Sequence, residues 1–77
     1  MTGVVSRMFL SKGFGFVRDE NGHTRFMHAN DFVRVYEFDT LREGQTVNFT
    51  PVEVDTGLRA IEVTLVNSDP KLLLDRR

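Results

Sequence analysis

Lys12-Gly13-Phe14-Gly15-Phe16-Val17 is the stretch on which the reading of this chain turns. As a strand, it puts Lys12, Phe14, Phe16 and Arg18 on one face, because side chains alternate with period two. Gly13, Gly15 and Val17 share the other face. Burying the two phenylalanines would draw Lys12 and Arg18 into the core beside them, and unpaired buried charges cost far more than exposed rings. The aromatic and basic face is therefore expected outward. The glycines then face inward, where a tightly curled strand has no room for bulk. Two rings between two cations on an open sheet would form a surface for stacking bases and holding phosphates. From the hexapeptide alone, an ordinary strand with Phe inward stays open beside this.

The third strand bears on the choice. Thr24 to Ala29 places Phe26 and His28 with Thr24 on one face, and Arg25, Met27 and Ala29 on the other. With Met27 in the core, Phe26 and His28 lie outward beside Phe14 and Phe16, so two separate strands agree on one platform. Arg25 then points inward with no partner visible in the sequence, beyond a place near the barrel rim.

Around these strands, Gly3 to Leu10 reads as the first strand, with Val5 toward the core and Arg7 deflected by a bulge. Asp19-Glu20-Asn21-Gly22 closes a hairpin, Asn-Gly being the strongest short-range turn signal. Asn30 to Thr40 is a longer connection in which Asn30-Asp31 caps a helical turn and Phe32 and Val35 tuck inward. Tyr36 and Phe38 flank Glu37 and are expected at the edge of the platform. Leu41 packs as an anchor before the Glu43-Gly44 turn. Gln45 to Val54 alternates, with Val47 and Phe49 inward and Pro51 marking an edge or bulge. Asp55-Thr56-Gly57 turns into a fifth strand, Arg59 to Val66, with Ile61, Val63 and Leu65 inward and Arg59 at its start as a further candidate contact. Five short strands, tight turns and no long helix predict a small all-β, five-stranded antiparallel barrel.

The chain has 77 residues, enough for one domain that buries roughly 60% of its unfolded surface. It has no cysteine, which excludes disulfides and thiolate metal sites and agrees with a reducing, cytoplasmic setting. No apolar run approaches the roughly 20 residues of a membrane span, and Met1 to Leu10 lacks the pattern of a signal peptide. With 10 Lys and Arg against 11 Asp and Glu, the net charge of −1 argues against a strongly basic binder of duplex phosphates. A local basic stripe remains compatible with it, since charges farther apart than a Debye length of roughly 8 Å are screened.

Lys12-Gly13-Phe14-Gly15-Phe16-Val17, followed by Phe26-Met27-His28, resembles the two ribonucleoprotein-type motifs of the bacterial cold-shock proteins in type and spacing. Gly3, Leu41 with Glu43-Gly44-Gln45, and Ala60 through Thr64 extend the resemblance over residues 1–66. It implies an oligonucleotide-binding (OB-fold) barrel that binds single-stranded DNA and RNA through exposed aromatics and acts as an RNA chaperone or a regulator of transcription and translation. Phe14, Phe16, Phe26 and His28 fall on the stacking positions of the family and Lys12 on its motif lysine. Phe38 matches a further loop aromatic after one inserted residue. Three departures point to a smaller platform: Arg7 stands at the stacking Trp, Ala29 at the aromatic after the motif histidine, and Arg25 at the apolar position before Phe26.

Other chemistry is weak by comparison. Gly13-x-Gly15 lacks the third glycine of a dinucleotide loop, Arg18 occupying its place. His23 and His28 do not share a strand face, so no metal site is expected. No nucleophile, carboxylate pair or catalytic triad stands in a recognisable context, so neither enzyme activity nor a cofactor is expected. Asp19, Glu20 and Asp31 read as solvated loop charges. Residues 67–77 form a C-terminal tail in which Asp69-Pro70 offers a helix start. Barely two turns follow, so a frayed end is expected, with a short helix or a contact of Lys71-Leu72-Leu73-Leu74 with a protein partner as the alternatives. A barrel that became a protein-interaction module is accordingly the alternative to a nucleic-acid binder.

Overall fold

The computed structural model of the chain describes residues 1–66; the C-terminal tail, with its Asp69-Pro70 helix start and the leucine run after Lys71, lies outside the described residues. Five strands, β1 (Thr2–Phe9), β2 (Phe14–Asp19), β3 (Thr24–His28), β4 (Thr46–Val54) and β5 (Gly57–Leu65), close into a barrel in the order β1-β2-β3-β5-β4. Short 3-10 turns occupy Leu10–Lys12 and Ala29–Asp31, and one short helix, α1, spans Tyr36–Thr40.

The expected barrel is present, with one qualification to its antiparallel character. A ring of alternating strands closes without conflict only when their number is even. With five, one neighbouring pair must run the same way, and here that pair is β3 and β5, which meet at Phe26 and Arg59. The other neighbours are antiparallel.

Two local devices aim the side chains of β1 and β2. Between the pairs Val5–Val17 and Arg7–Phe16 the register shifts, leaving Ser6 as an extra residue. Without that bulge Arg7 would face inward with Val5; with it, Arg7 and Phe9 turn out while Met8 packs back against the core. Met8 lies opposite Gly15, where a Cβ would stand 2.7 Å from its Sδ and 2.8 Å from the Arg7 carbonyl oxygen, so only glycine fits. Gly13 is not the inward strand residue expected: it ends the 3-10 turn in the left-handed conformation (φ 81°), and Lys12 sits on that turn ahead of the strand.

The core is Val5, Val17, Met27, Phe32, Phe38, Leu41, Val47, Phe49, Ala60 and Val63. Burying one valine, leucine or phenylalanine side chain there contributes about 1.5–3 kcal/mol. Pro51 lies past the point where β1 stops pairing with β4, which leaves it a partner on the β5 side alone, as an edge proline requires.

Three expectations about the core are corrected. Phe38 is 2% exposed and packs edge-on against Phe32, with ring centroids 5.4 Å apart, so it belongs to the interior and not to the platform. Val35, expected inward, is 56% exposed because it precedes α1 instead of lying on a buried helical face. Ile61 is only half-buried. The register of β5 slips opposite Phe49, Glu62 takes φ 52°, and Ala60 is buried in place of Ile61, while Val63 is inward as expected.

Asp19 and Asp31 also depart from the solvated role expected of them, whereas Glu20 stays exposed. Asp19 is buried and accepts from Arg25 Nε at 2.7 Å and from the backbone N–H groups of Asn21 and His23. Arg25 Nη1 donates onward to the carbonyls of Val52 and Arg59. The inward arginine therefore has three acceptors and ties the β2–β3 hairpin to β4 and β5. The hydrogen bond from Arg25, helped by the two amides and opposed by burial, holds the Asp19 carboxyl below its ordinary range. Glu20 is lowered likewise, by hydrogen bonds from the backbone N–H and hydroxyl of Thr2. Asp31 accepts from the His28 backbone N–H and from Arg59.

Candidate nucleic-acid interface

Antiparallel register across β1, β2 and β3 sets the outward residues side by side. Phe9 faces Phe14, Arg7 faces Phe16, Phe14 faces His28 and Phe16 faces Phe26. The four phenylalanines form one continuous cluster. Centroid separations are 5.0 Å for Phe9–Phe14, 5.9 Å for Phe14–Phe16, 5.5 Å for Phe14–Phe26 and 5.9 Å for Phe16–Phe26. Edge-on and tilted pairs alternate, as ring quadrupoles favour. All four rings are half-buried and supported by one another.

Phe9 was not singled out in the sequence. Its signal was there: it lies two residues beyond Arg7 on the same strand face, and in hairpin register with Phe14.

A guanidinium lies over a ring at each end of the cluster. Arg7 Cζ is 5.3 Å from the Phe9 centroid, and Arg59 Cζ is 5.3 Å from that of Phe26. Arg7 is otherwise loose, 3.9 Å from Glu43 with both side chains largely exposed. Arg59 is held by Asp31, and its buried Nε has no hydrogen-bond partner among the described residues. Arg18 on β2 and Lys12 on the turn before it are both exposed. His28 is half-exposed, and its Nδ1 accepts from the Asn30 backbone N–H. That bond leaves the ring hydrogen of neutral His28 on Nε2, where it can donate to a ligand.

Of the residues singled out from sequence, the sheet brings together Arg7, Phe14, Phe16, Phe26, His28 and Arg59, with Lys12 and Arg18 at the margins. Tyr36 is 66% exposed on α1, and Phe38 is withdrawn into the core. A cleft of about 340 Å³ opens beside Phe16, Phe26 and Arg59, lined also by Thr56 of the β4–β5 turn and by Gly57 and Leu58 at the start of β5. Among the described residues no group of His, Asp and Glu is placed to hold a metal ion, and no helix is long and apolar enough to cross a membrane.

Chemically, the surface offers apolar faces for flat rings, a few cations for anions at the rim, and one imidazole donor. Comparison with known proteins agrees with that character. Residues 1–66 match the family described as the 'Cold-shock' DNA-binding domain. The chain is 41% identical to the major cold shock protein CspA of Pseudomonas aeruginosa over 56 residues, 73% of this chain and 80% of that protein. It is 42% identical to the cold shock-like protein CspA of Vibrio cholerae over 65 residues, 83% and 91% of the two chains. Against the cold shock-like protein CspLB of Listeria monocytogenes it is 41% identical over 63 residues, 82% and 94%. The chain belongs to the cold-shock domain family of nucleic-acid-binding proteins.

Proposed function

We propose that this protein binds single-stranded RNA and DNA by stacking bases on Phe9, Phe14, Phe16 and Phe26, with His28 donating from Nε2. Arg7, Lys12, Arg18 and Arg59 contact phosphates or bases at the rim, and Tyr36 adds a ring from α1. The observation that carries this is the continuous four-ring cluster on an open sheet face, flanked by cations. Splayed bases reach such a surface and paired bases do not. A binder of this kind melts weak RNA structure by holding its single strands, which suits a cytoplasmic RNA chaperone or a regulator of transcription and translation.

Anisotropy titrations with labelled single strands and with duplex test the proposal. Single strands bind more tightly, and the log–log salt slope corresponds to about 2–4 phosphates at roughly −0.7 each. Equal affinity for duplex, or a slope as steep as that of a polybasic protein, overturns it. Residues 1–66, the span of the family match, form the binding domain in this view, and 67–77 are an appendage open to a protein partner. Truncation after Ser68 then leaves oligonucleotide affinity nearly unchanged, and sedimentation of both chains shows whether an assembly is lost.

A further inference from the structure

Arg59 differs from the other platform cations in being built in. It is in register with Phe26 across the β3–β5 seam, its guanidinium lies over that ring, and Asp31 accepts from its Nη2. Asp31 is fixed in turn by the His28 backbone N–H. The fork is thereby held from one side, while Nη1 and the second Nη2 hydrogen have no acceptor among the described residues. Beside it lies the cleft lined by Phe16, Phe26 and Thr56 to Leu58.

We infer that this cleft is a base-selective subsite in which Arg59 reads guanine. The inference deepens the proposed single-strand binding and rests on it. A base entering the cleft stacks on the phenylalanines and turns its edge to the guanidinium. Two parallel N–H donors fit two adjacent acceptors, which guanine presents as O6 and N7. Adenine sets an amino donor beside N7, and thymine and uracil offer a lone O4 on that edge. Cytosine is the competitor, through N3 and O2. Asp31 acts as a positioning residue that keeps the fork from swinging into solvent.

Anisotropy on the full chain tests this, using short oligothymidylates in which one guanine, cytosine or 7-deazaguanine is moved through the sequence. At one position guanine tightens binding roughly tenfold over thymine, within the range for a bidentate base contact, and 7-deazaguanine, which lacks N7, loses most of the gain. Arg59→Lys keeps the charge without the fork and loses the guanine-to-thymine ratio; the ratio is the readout, since absolute affinity falls as well. Asp31→Asn lowers the ratio part way. Thermal melts of both variants check folding, and the 7-deazaguanine result on the unaltered protein decides should either fail to fold. Guanine no better than thymine at every position, cytosine better than guanine, or a ratio that survives Arg59→Lys overturns the guanine assignment and leaves single-strand binding standing. If no single strand binds at all, the proposed function falls and this subsite falls with it.

Discussion

The two faces of the β2–β3 hairpin each meet an arginine beside apolar residues, Arg25 of β3 on the inside and Arg59 of β5 on the outside, and the barrel treats them in opposite ways. On the inner face Arg25 is buried with three acceptors: the Asp19 carboxylate and the carbonyls of Val52 and Arg59. On the outer face Arg59 lies over the edge of a half-open aromatic surface, and beyond the hairpin Arg7 does the same at the other end. A guanidinium is tolerated inside only where its donors are matched. Outside, its donors remain available to a ligand. The inner arginine ties strands together, and the outer ones are those to which the proposed function gives the ligand.

The strongest test of that division is Phe49→Ala against Phe16→Ala. Phe49 is a buried core ring, and its loss costs about 3–5 kcal/mol in denaturant melts, enough to unfold so small a domain. Phe16→Ala costs clearly less. Equal losses from the two would mean that Phe16 serves the core and the platform is not a free surface.

Next in size is Arg25→Ala, which leaves the Asp19 carboxylate buried without its counter-charge and lowers the melting temperature at neutral pH. Acid acts on the same pair from the other side. The folded-state pKa of Asp19 is depressed, so its contribution is fully present above the pKa of the unfolded chain and is lost as pH falls through the folded value. Thermal melts of the unaltered protein therefore decline below the ordinary aspartate range, and Arg25→Ala flattens that acid limb. An unchanged acid limb in the variant would remove the pair from the account of stability.

On the outer face, Phe16→Ala and Phe26→Ala each weaken single-strand binding by about 1–3 kcal/mol, the worth of one stacked base. The smallest effect belongs to Arg7. Arg7→Trp raises affinity by about 1 kcal/mol through added stacking and makes the salt slope shallower by roughly one phosphate's share. Arg7→Ala weakens binding and flattens the slope too. If neither substitution moves affinity or slope, Arg7 is a solvated charge and the platform ends at Phe9.

Sequence periodicity was informative wherever alternation was regular. It located the five strands, the bulge ahead of Arg7, and the outward placement of Phe14, Phe16, Phe26 and His28. It failed where a short element changed the period. Reading Tyr36 and Phe38 as loop residues let both point outward, but in α1 residues two apart sit about 200° around the axis, so one is exposed and the other buried. Ile61 was misplaced because one extra residue near Glu62 inverts the alternation of β5. The role of Arg25 was illegible because its carbonyl partners lie 27 and 34 residues away, and no local pattern records a contact made by barrel closure. The mutual support of Arg59 and Asp31 was hidden for the same reason.

Barrel closure has a further consequence. The parallel seam between β3 and β5 is a single register pair, Phe26 with Arg59, whereas β2 meets β3 along its whole length. A seam so short is where the cylinder opens first, so amides of β3 and β5 exchange with solvent at a lower opening free energy than those of the β2–β3 ladder. Arg25 staples the seam from inside, and an oligonucleotide bound as proposed, across Phe26 and Arg59, would staple it from outside. Hydrogen exchange in the two strands therefore slows on ligand addition, and the domain stiffens at the place where it is read.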